Sequence, residues 1–275
     1  MKKSFVENDI EILVATMNRT SLDFLSKMFP FKHFSNYNIL IVNQSKTNVL
    51  SSDYPSIRVI NADDLGLSKS RNLALLNAVG KILIIADDDV VYQRDFSEKI
   101  IAAHNKLDRA TIINFCVINK SGNYLKKYPS NSKKHLNTLD IFNTSSIEMT
   151  INKELLDLAE IRFDENFGLG GIFEMGEEAI FLFDLKHKNQ QISFENQILV
   201  KHEDLTTSNK IDVFHKYYIY GAILTRIIKI NYAFWLIIKL LFDLKQKKIK
   251  LSSFFKVINS AKNGREKTQS IYYGK

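Results

Sequence analysis

The sequence predicts an α/β fold with a mainly parallel central sheet flanked by helices, followed by a C-terminal helical segment. Three observations carry that expectation. Apolar runs of strand length alternate with helix-period segments, the pattern of strand–helix–strand units. One such run, residues 82–86 (I-L-I-I-A), is rich in β-branched residues, preceded by Gly80 and ended by Asp87-Asp88-Asp89, as a buried central strand would be. The chain of 275 residues, 45% of them hydrophobic, is long enough to bury a full core as one large domain with a helical extension.

Taken in order, residues 10–15 (I-E-I-L-V-A) read as the first strand, left through the polar turn Thr16-Met17-Asn18-Arg19-Thr20. Thr20 or Ser21 is placed to cap a helix beginning at Leu22, whose apolar positions continue at Leu25 and Met28 or Phe29. Residues 38–42 form a second strand ending in Asn43-Gln44-Ser45, and residues 57–60 a third, closed by Asn61 and Asp63-Asp64. Gly66-Leu67-Ser68-Lys69-Ser70-Arg71-Asn72 then turns into a helix running through Val79, with Ser68 as N-cap and Arg71 in the first turn. After the central strand, residues 96–107 have helical spacing, with Ile100, Ile101 and Leu107 inward, and residues 111–118 read as a strand. The polar, lysine-bearing stretch 121–137 is expected to be a long loop, either a binding loop or disordered. Three glycines among residues 168–171 permit a tight loop. Glu177-Glu178 opens a further helix with apolar residues 179–185, and residues 197–201 read as a last strand, exited at His202.

Chemistry concentrates at the strand exits. Three adjacent carboxylates, Asp87, Asp88 and Asp89, repel one another unless something positive lies among them, and hard carboxylate oxygens suit Mg²⁺ or Mn²⁺. In open α/β sheets the ligand crevice lies at those carboxyl ends. Arg71, beside the positive end of its helix, is suited to a pyrophosphate. One of Glu177 and Glu178 is a candidate general base, with helix-start stabilisation as the purely structural reading. His202, at another strand exit, is a candidate metal ligand.

Together, Thr16-x-Asn18-Arg19, Gly66-Leu67-Ser68-x-x-Arg71-Asn72, Asp87-Asp88-Asp89, F-D-E-x-F-G-x-G-G and G-E-E, in that order over about residues 10–205, resemble the GT-A glycosyltransferases of the family 2 type. The resemblance implies a nucleotide-sugar donor and transfer with inversion at the anomeric carbon. Asp87-x-Asp89 matches a D-x-D motif, which makes Asp89 a direct metal ligand and puts Asp87 near the ribose or the metal. Arg71 and Asn72 match the pair close to the diphosphate, and His202 matches a histidine that completes the metal site. Glu178, second of the acidic pair, is the expected base. Thr16, Asn18, Arg19, Leu67, Ser68 and Asp88 are the remaining candidates for donor contact. Where the family often has a base-reading Asp, this chain has Asn43-Gln44, so Gln44 is the candidate reader of uracil, its amide both donating and accepting.

The expected organisation is a catalytic domain over 1–205, donor half about 1–110 and acceptor half about 111–205, then a basic amphipathic helical region over 206–275. Residues 201–275 carry 15 Lys/Arg against 5 Asp/Glu, whereas residues 1–200 are slightly acidic. Large apolar residues beside clustered lysines suit a helix lying on an anionic membrane; the alternative is helices packed on the catalytic domain. Lys239 and Asp243 are among the charges that interrupt the apolar stretch, which leaves no spanning segment, and no nucleic-acid-binding motif is present. Cys116, the single cysteine, excludes an internal disulfide framework, and Glu7, Asp9 and Glu11 break any signal-peptide core after Met1-Lys2-Lys3. The expectation is a cytoplasmic enzyme, peripheral at the inner face of the cell membrane, acting on a surface polysaccharide, lipopolysaccharide or lipid-linked glycan. A sugar-phosphate nucleotidyltransferase is the rival enzyme, disfavoured because no glycine-rich loop follows the first strand. A non-catalytic nucleotide-binding scaffold is disfavoured by the retained carboxylates.

Overall fold

The computed structural model describes residues 4–202, 211–228 and 231–274. Met1-Lys2-Lys3, Glu203, Asp204 and Lys229 lie outside the described residues. The chain begins with Ile10–Met17 (β1), Asp23–Met28 (α1), Ile39–Gln44 (β2), Ile57–Ala62 (β3), Leu67–Asn77 (α2) and Ile82–Asp87 (β4). It continues through Val91–Tyr92 (β5), Phe96–Lys106 (α3), Ala110–Ile118 (β6), Thr138–Phe142 (α4), Met149–Asn152 (β7) and Lys153–Ala159 (α5). Glu177–His187 (α6), Gln191–Lys201 (β8), Val213–Ile227 (α7), Tyr232–Lys245 (α8) and Phe254–Tyr273 (α9) complete it.

One sheet of eight strands, in the order β3-β2-β1-β4-β7-β6-β8-β5, forms the centre. β1 pairs in parallel with β2 and β4, β2 with β3, and β6 with β8, whereas β7 runs antiparallel between β4 and β6. The order reverses at β1, which puts a topological switch point between β1 and β4, the place where such sheets open a ligand crevice. Alternate residues of each strand enter opposite cores, because side chains on a pleated strand alternate. Ile12, Val14, Ile82 and Ile84 pack toward α1 and α3. Leu13, Leu83 and Ile85 pack toward α2, α5, α6 and α7. Burial on both faces is why these strands read as continuous apolar runs.

Several local expectations are corrected. Neither Thr20 nor Ser21 caps α1; Leu22 stands at its N-cap, and the Ser21 hydroxyl donates to Asp23. Gly66, not Ser68, precedes α2, because the Ser68 hydroxyl is engaged with another segment, and α2 ends at Asn77 rather than Val79. β7 is four residues, too short for periodicity to show. β8 starts at Gln191, six residues before the predicted strand, its pairing with β6 broken by register shifts. The 121–137 stretch is a loop joined to the sheet by the bridges Ile118–Tyr124 and Lys133–Phe194.

Candidate active site

The parallel register brings the strand exits level. Thr16 lies opposite Asn43, Met17 opposite Gln44, and Ala15 opposite Asp87. At the end of β1 the chain turns through Asn18 in the left-handed region, φ +54°, which Asn tolerates better than most residues. Asn43 fixes this turn: its side-chain oxygen accepts from the Arg19 amide and its NH₂ donates to the Arg19 carbonyl. Gln44 donates to the carbonyls of Asp64 and Gly66, so its NH₂ braces the approach to α2. It also lines a groove of about 560 Å³ with Asp64, Lys69, Asn72 and Phe163.

The three aspartates part ways after β4. Asp88 turns back to the β1 exit, where Thr16 donates to it at 2.5 Å and Arg19 pairs with it at 2.6 Å. Asp89 faces His202, Nε2 to Oδ1 3.2 Å, and that hydrogen bond holds its carboxyl below the usual range. Asp87 faces Arg71, 3.4 Å away.

Arg71 is 2% exposed and gathers carboxylates from two elements besides its own. Its Nη1 donates to Glu177 at 2.9 Å and lies 3.7 Å from Glu178; its Nη2 donates to Ser146 at 2.6 Å and pairs with Asp87. The Phe163 ring lies beneath the guanidinium, 5.6 Å away. One buried cation thus serves three carboxylates. Burial and the neighbouring Glu178 push Glu177 up to about 8 against the pull of Arg71, while the carboxylates hold Arg71 above its ordinary value despite its desolvation. Glu177 is buried, and Glu178, one residue on, is partly open to solvent.

The glycine loop is seated on the start of α2. Ser68 donates to the Phe167 carbonyl, the Leu67 amide to the Leu169 carbonyl, and Asn72 exchanges hydrogen bonds with the Phe163 backbone while donating to Glu165. Gly168 sits at φ +95°, which strains any other residue, and a Cβ there would be crowded, 3.0 Å from the Ser68 hydroxyl and 3.1 Å from the Glu177 carboxyl carbon. Asp164 anchors the same loop to the C-terminal helices. It accepts from the Tyr272 hydroxyl at 2.6 and 2.7 Å and from Arg226 at 2.9 Å, while Arg226 also binds Asp184 through two nitrogens.

The fold therefore brings Asp87, Arg71, Glu177 and Glu178 together, with Thr16, Arg19 and Asp88 at the adjacent β1 exit and the Asp89–His202 pair at the exit of β8. Leu67, Ser68 and Asn72 hold the glycine loop, and Asn18 shapes the β1 turn. Ser146 and the Asp164 partners were not foreseen: Asp164 and Tyr272 are 108 positions apart, and nothing local couples them. Among the described residues, no group of three or more His, Cys, Asp or Glu side chains is assembled to hold a metal ion.

The sequence profile for glycosyl transferase family 2 matches residues 12–174. No curated protein matches the chain by sequence. Among solved structures, residues 1–349 of S. aureus TarS superpose with a TM-score of 0.58 at 15% identity, over 97% of this chain and 92% of that one. The same fragment in complex with UDP-GlcNAc gives 0.60 at 14% identity with the same coverage. Against a longer TarS chain the TM-score is 0.53 at 16% identity, covering 78% of this chain and 39% of that one. At such identities the likeness speaks for the fold.

Proposed function

Because the chain belongs to glycosyl transferase family 2 and is a glycosyltransferase, we propose that it moves a sugar, with inversion, from a nucleoside-diphosphate sugar to a hydroxyl of a glycan or glycolipid. A UDP-sugar is the favoured donor, a reading that the UDP-GlcNAc complex of TarS supports through the shared fold. The observation that carries the reading is the Arg71 cluster, with a carboxylate from β4 and two from α6 around one cation at the crevice of a switch-point sheet.

Roles follow from exposure and pairing. Glu177, buried and bound to Arg71, is poorly placed to meet an acceptor. Glu178, more exposed and farther from Arg71, is the base that takes the acceptor hydroxyl's proton as that oxygen attacks the anomeric carbon. Arg71 keeps positive charge beside the crevice, where negative charge grows on the departing diphosphate. Thr16, Arg19 and Asp88 close the donor end, and the loop from 163 to 176 lines the acceptor end.

A Mn²⁺ or Mg²⁺ fits the donor set. Asp89 and His202 offer one oxygen and one nitrogen side by side, with Asp87 two residues away, and Mg²⁺ usually completes its shell from substrate phosphates and water. Charge neutralisation on the leaving nucleoside diphosphate is what such an ion supplies when bound. Among the described residues no helix is long and apolar enough to cross a membrane. The proposed workplace is the inner face of the cell membrane, on a surface polysaccharide, lipopolysaccharide or lipid-linked acceptor.

The test is nucleotide release from a panel of nucleotide sugars with Mn²⁺, Mg²⁺ or EDTA, alongside thermal shifts with the same ligands. Metal-dependent release of one nucleoside diphosphate, lost in Asp89→Ala, is expected. Pyrophosphate release from a nucleoside triphosphate and a sugar phosphate would favour a nucleotidyltransferase instead. Nucleotide binding without turnover on any acceptor would favour a scaffold.

A further inference from the structure

α8 is apolar on both sides. Leu236 and Leu240 enter the cluster shared with α7 and α9, as the inner stripe of a packed helix should. The outer stripe, Phe234, Ile237, Ile238, Leu241 and Phe242, recurs at helical spacing and stands in solvent, with Phe234 60% and Leu241 59% exposed. The charges before the last residue of the helix, Lys239 and Asp243, pair with each other at 2.7 Å, and Asp243 also accepts from Tyr217, so neither interrupts the stripe. Leu251 and Phe255, 76% and 83% exposed, are further large apolar side chains in solvent in the segment that follows α8. An exposed patch of this kind marks a partner or membrane surface.

The surrounding charge identifies the partner. Residues 244–265 carry six lysines, one arginine and no acidic residue. Lys245, Lys247, Lys248, Lys250 and Lys256 are all exposed, and the Lys248 ammonium stands 6.0 Å from the ring centre of the exposed Phe242. A second copy meeting this face across a two-fold axis would bring the lysine clusters together, since such an interface presents the same patch from both sides. Anionic lipid headgroups oppose the charge while their acyl chains receive the stripe. At 14 residues, α8 is about 21 Å long, short of the roughly 30 Å hydrocarbon core, so it lies along the surface rather than crossing it.

We propose that the outer stripe of α8, with Leu251, Phe255 and the flanking lysines, is a docking face for an anionic bilayer. The inference deepens the membrane-acceptor reading above: α7 and α9, which carry α8, are tied through Arg226 and Tyr272 to Asp164 in the glycine loop, so docking fixes the crevice relative to the lipid surface.

Flotation of the full chain with vesicles of phosphatidylcholine alone, or of phosphatidylcholine with phosphatidylglycerol, tests it. Binding is expected only with phosphatidylglycerol and is released at high ionic strength. Leu241→Glu and the pair Lys247→Glu/Lys248→Glu should each weaken it about tenfold or more, leaving nucleotide release and the melting curve unchanged. Absence of wild-type flotation, or equal flotation with neutral vesicles, overturns the proposal. So does a solution dimer that Leu241→Glu converts to monomer while anionic vesicles stay unbound. Nucleotide release without flotation would remove the docking face and leave glycosyl transfer standing; flotation without release would do the reverse.

Discussion

At Arg71, one guanidinium out of water cannot neutralise Asp87, Glu177 and Glu178 together, so the site keeps a proton near neutrality. Burial and the neighbouring Glu178 raise Glu177, the more buried of the two glutamates, to about 8 against 4.5 for a free side chain, and burial raises Asp87 as well. A carboxyl raised on folding favours the protonated state, so the stability it confers is complete below about 4.5 and is lost as pH rises toward about 8. Urea denaturation across that window should show falling stability in the wild type and a flatter profile in Glu177→Gln. The neighbouring residue obeys a different constraint. Glu178→Gln should lower transfer by roughly 10²–10⁴-fold, the usual worth of a positioned base, with donor affinity retained in a thermal-shift titration. Near-normal turnover in Glu178→Gln with loss in Glu177→Gln would reverse the assignment. Residue type and position offered these glutamates as a pair, and only the family resemblance singled out Glu178. Which one Arg71 claims depends on a contact across 106 positions, and that contact exists only in the folded sheet.

Among elements, the helices α7 and α9 hold the glycine loop through Asp164. The Tyr272 hydroxyl keeps its proton, because burial and the Asp164 charge both oppose ionisation, and it donates that proton to Asp164. Tyr272→Phe deletes a hydrogen bond to a charged group, worth about 1.5–3 kcal/mol, and loosens the loop from 163 to 171 at its far end. The acceptor KM should rise more than the donor KM, with nucleotide release in the absence of acceptor little changed; a uniform loss of all three would indicate only a less stable fold. α7 and α9 approach through glycine. A Cβ on Gly264 would overlap the Tyr218 carbonyl oxygen, so Gly264→Ala must push the helices apart, at about 1–3 kcal/mol in a chemical denaturation curve. Elements were legible where burial leaves a long apolar run, as in β1, β2, β4 and β6, or a helical period, as in α3. They were illegible where pairing is short or irregular: β7 has four residues, and the first half of β8, Q-I-S-F-E-N, pairs with β6 through shifted register. Loop 121–137 was legible as a loop from its polarity, whereas its anchorage by Lys126 on the buried Glu148 was not.

For the whole molecule, the charge break near residue 200 divides surface chemistry without dividing the core. Ile219, Ala222, Ile223 and Ile227 of α7 belong to the same buried cluster as Leu83 and Ile85 of the central strand, and Tyr272 packs against that cluster from the end of α9. Of the two readings that composition left open for the tail, packing on the catalytic domain holds for α7 and α9; the lipid-facing surface proposed above is confined to α8 and the segment after it. Composition could not separate these, because an apolar helix face looks the same whether it meets protein or lipid. The consequence is testable by removing α9 at Ser253. Val257 and Ala261 are fully buried, and Phe254, Ile258, Ile271 and Tyr272 are partly so; losing these contacts should cost about 5 kcal/mol at 1.5–3 kcal/mol for each large apolar side chain withdrawn from water. For a chain of this size that corresponds to a fall in Tm of roughly 10 °C. If the molecule is one cooperative unit, the full chain melts in a single transition, coincident by far-UV and near-UV circular dichroism, and the truncated chain melts early throughout, catalytic half included. Two resolved transitions in the full chain, with the upper one unmoved by truncation, would instead make the tail a separate domain and remove the coupling by which α8 could orient the crevice.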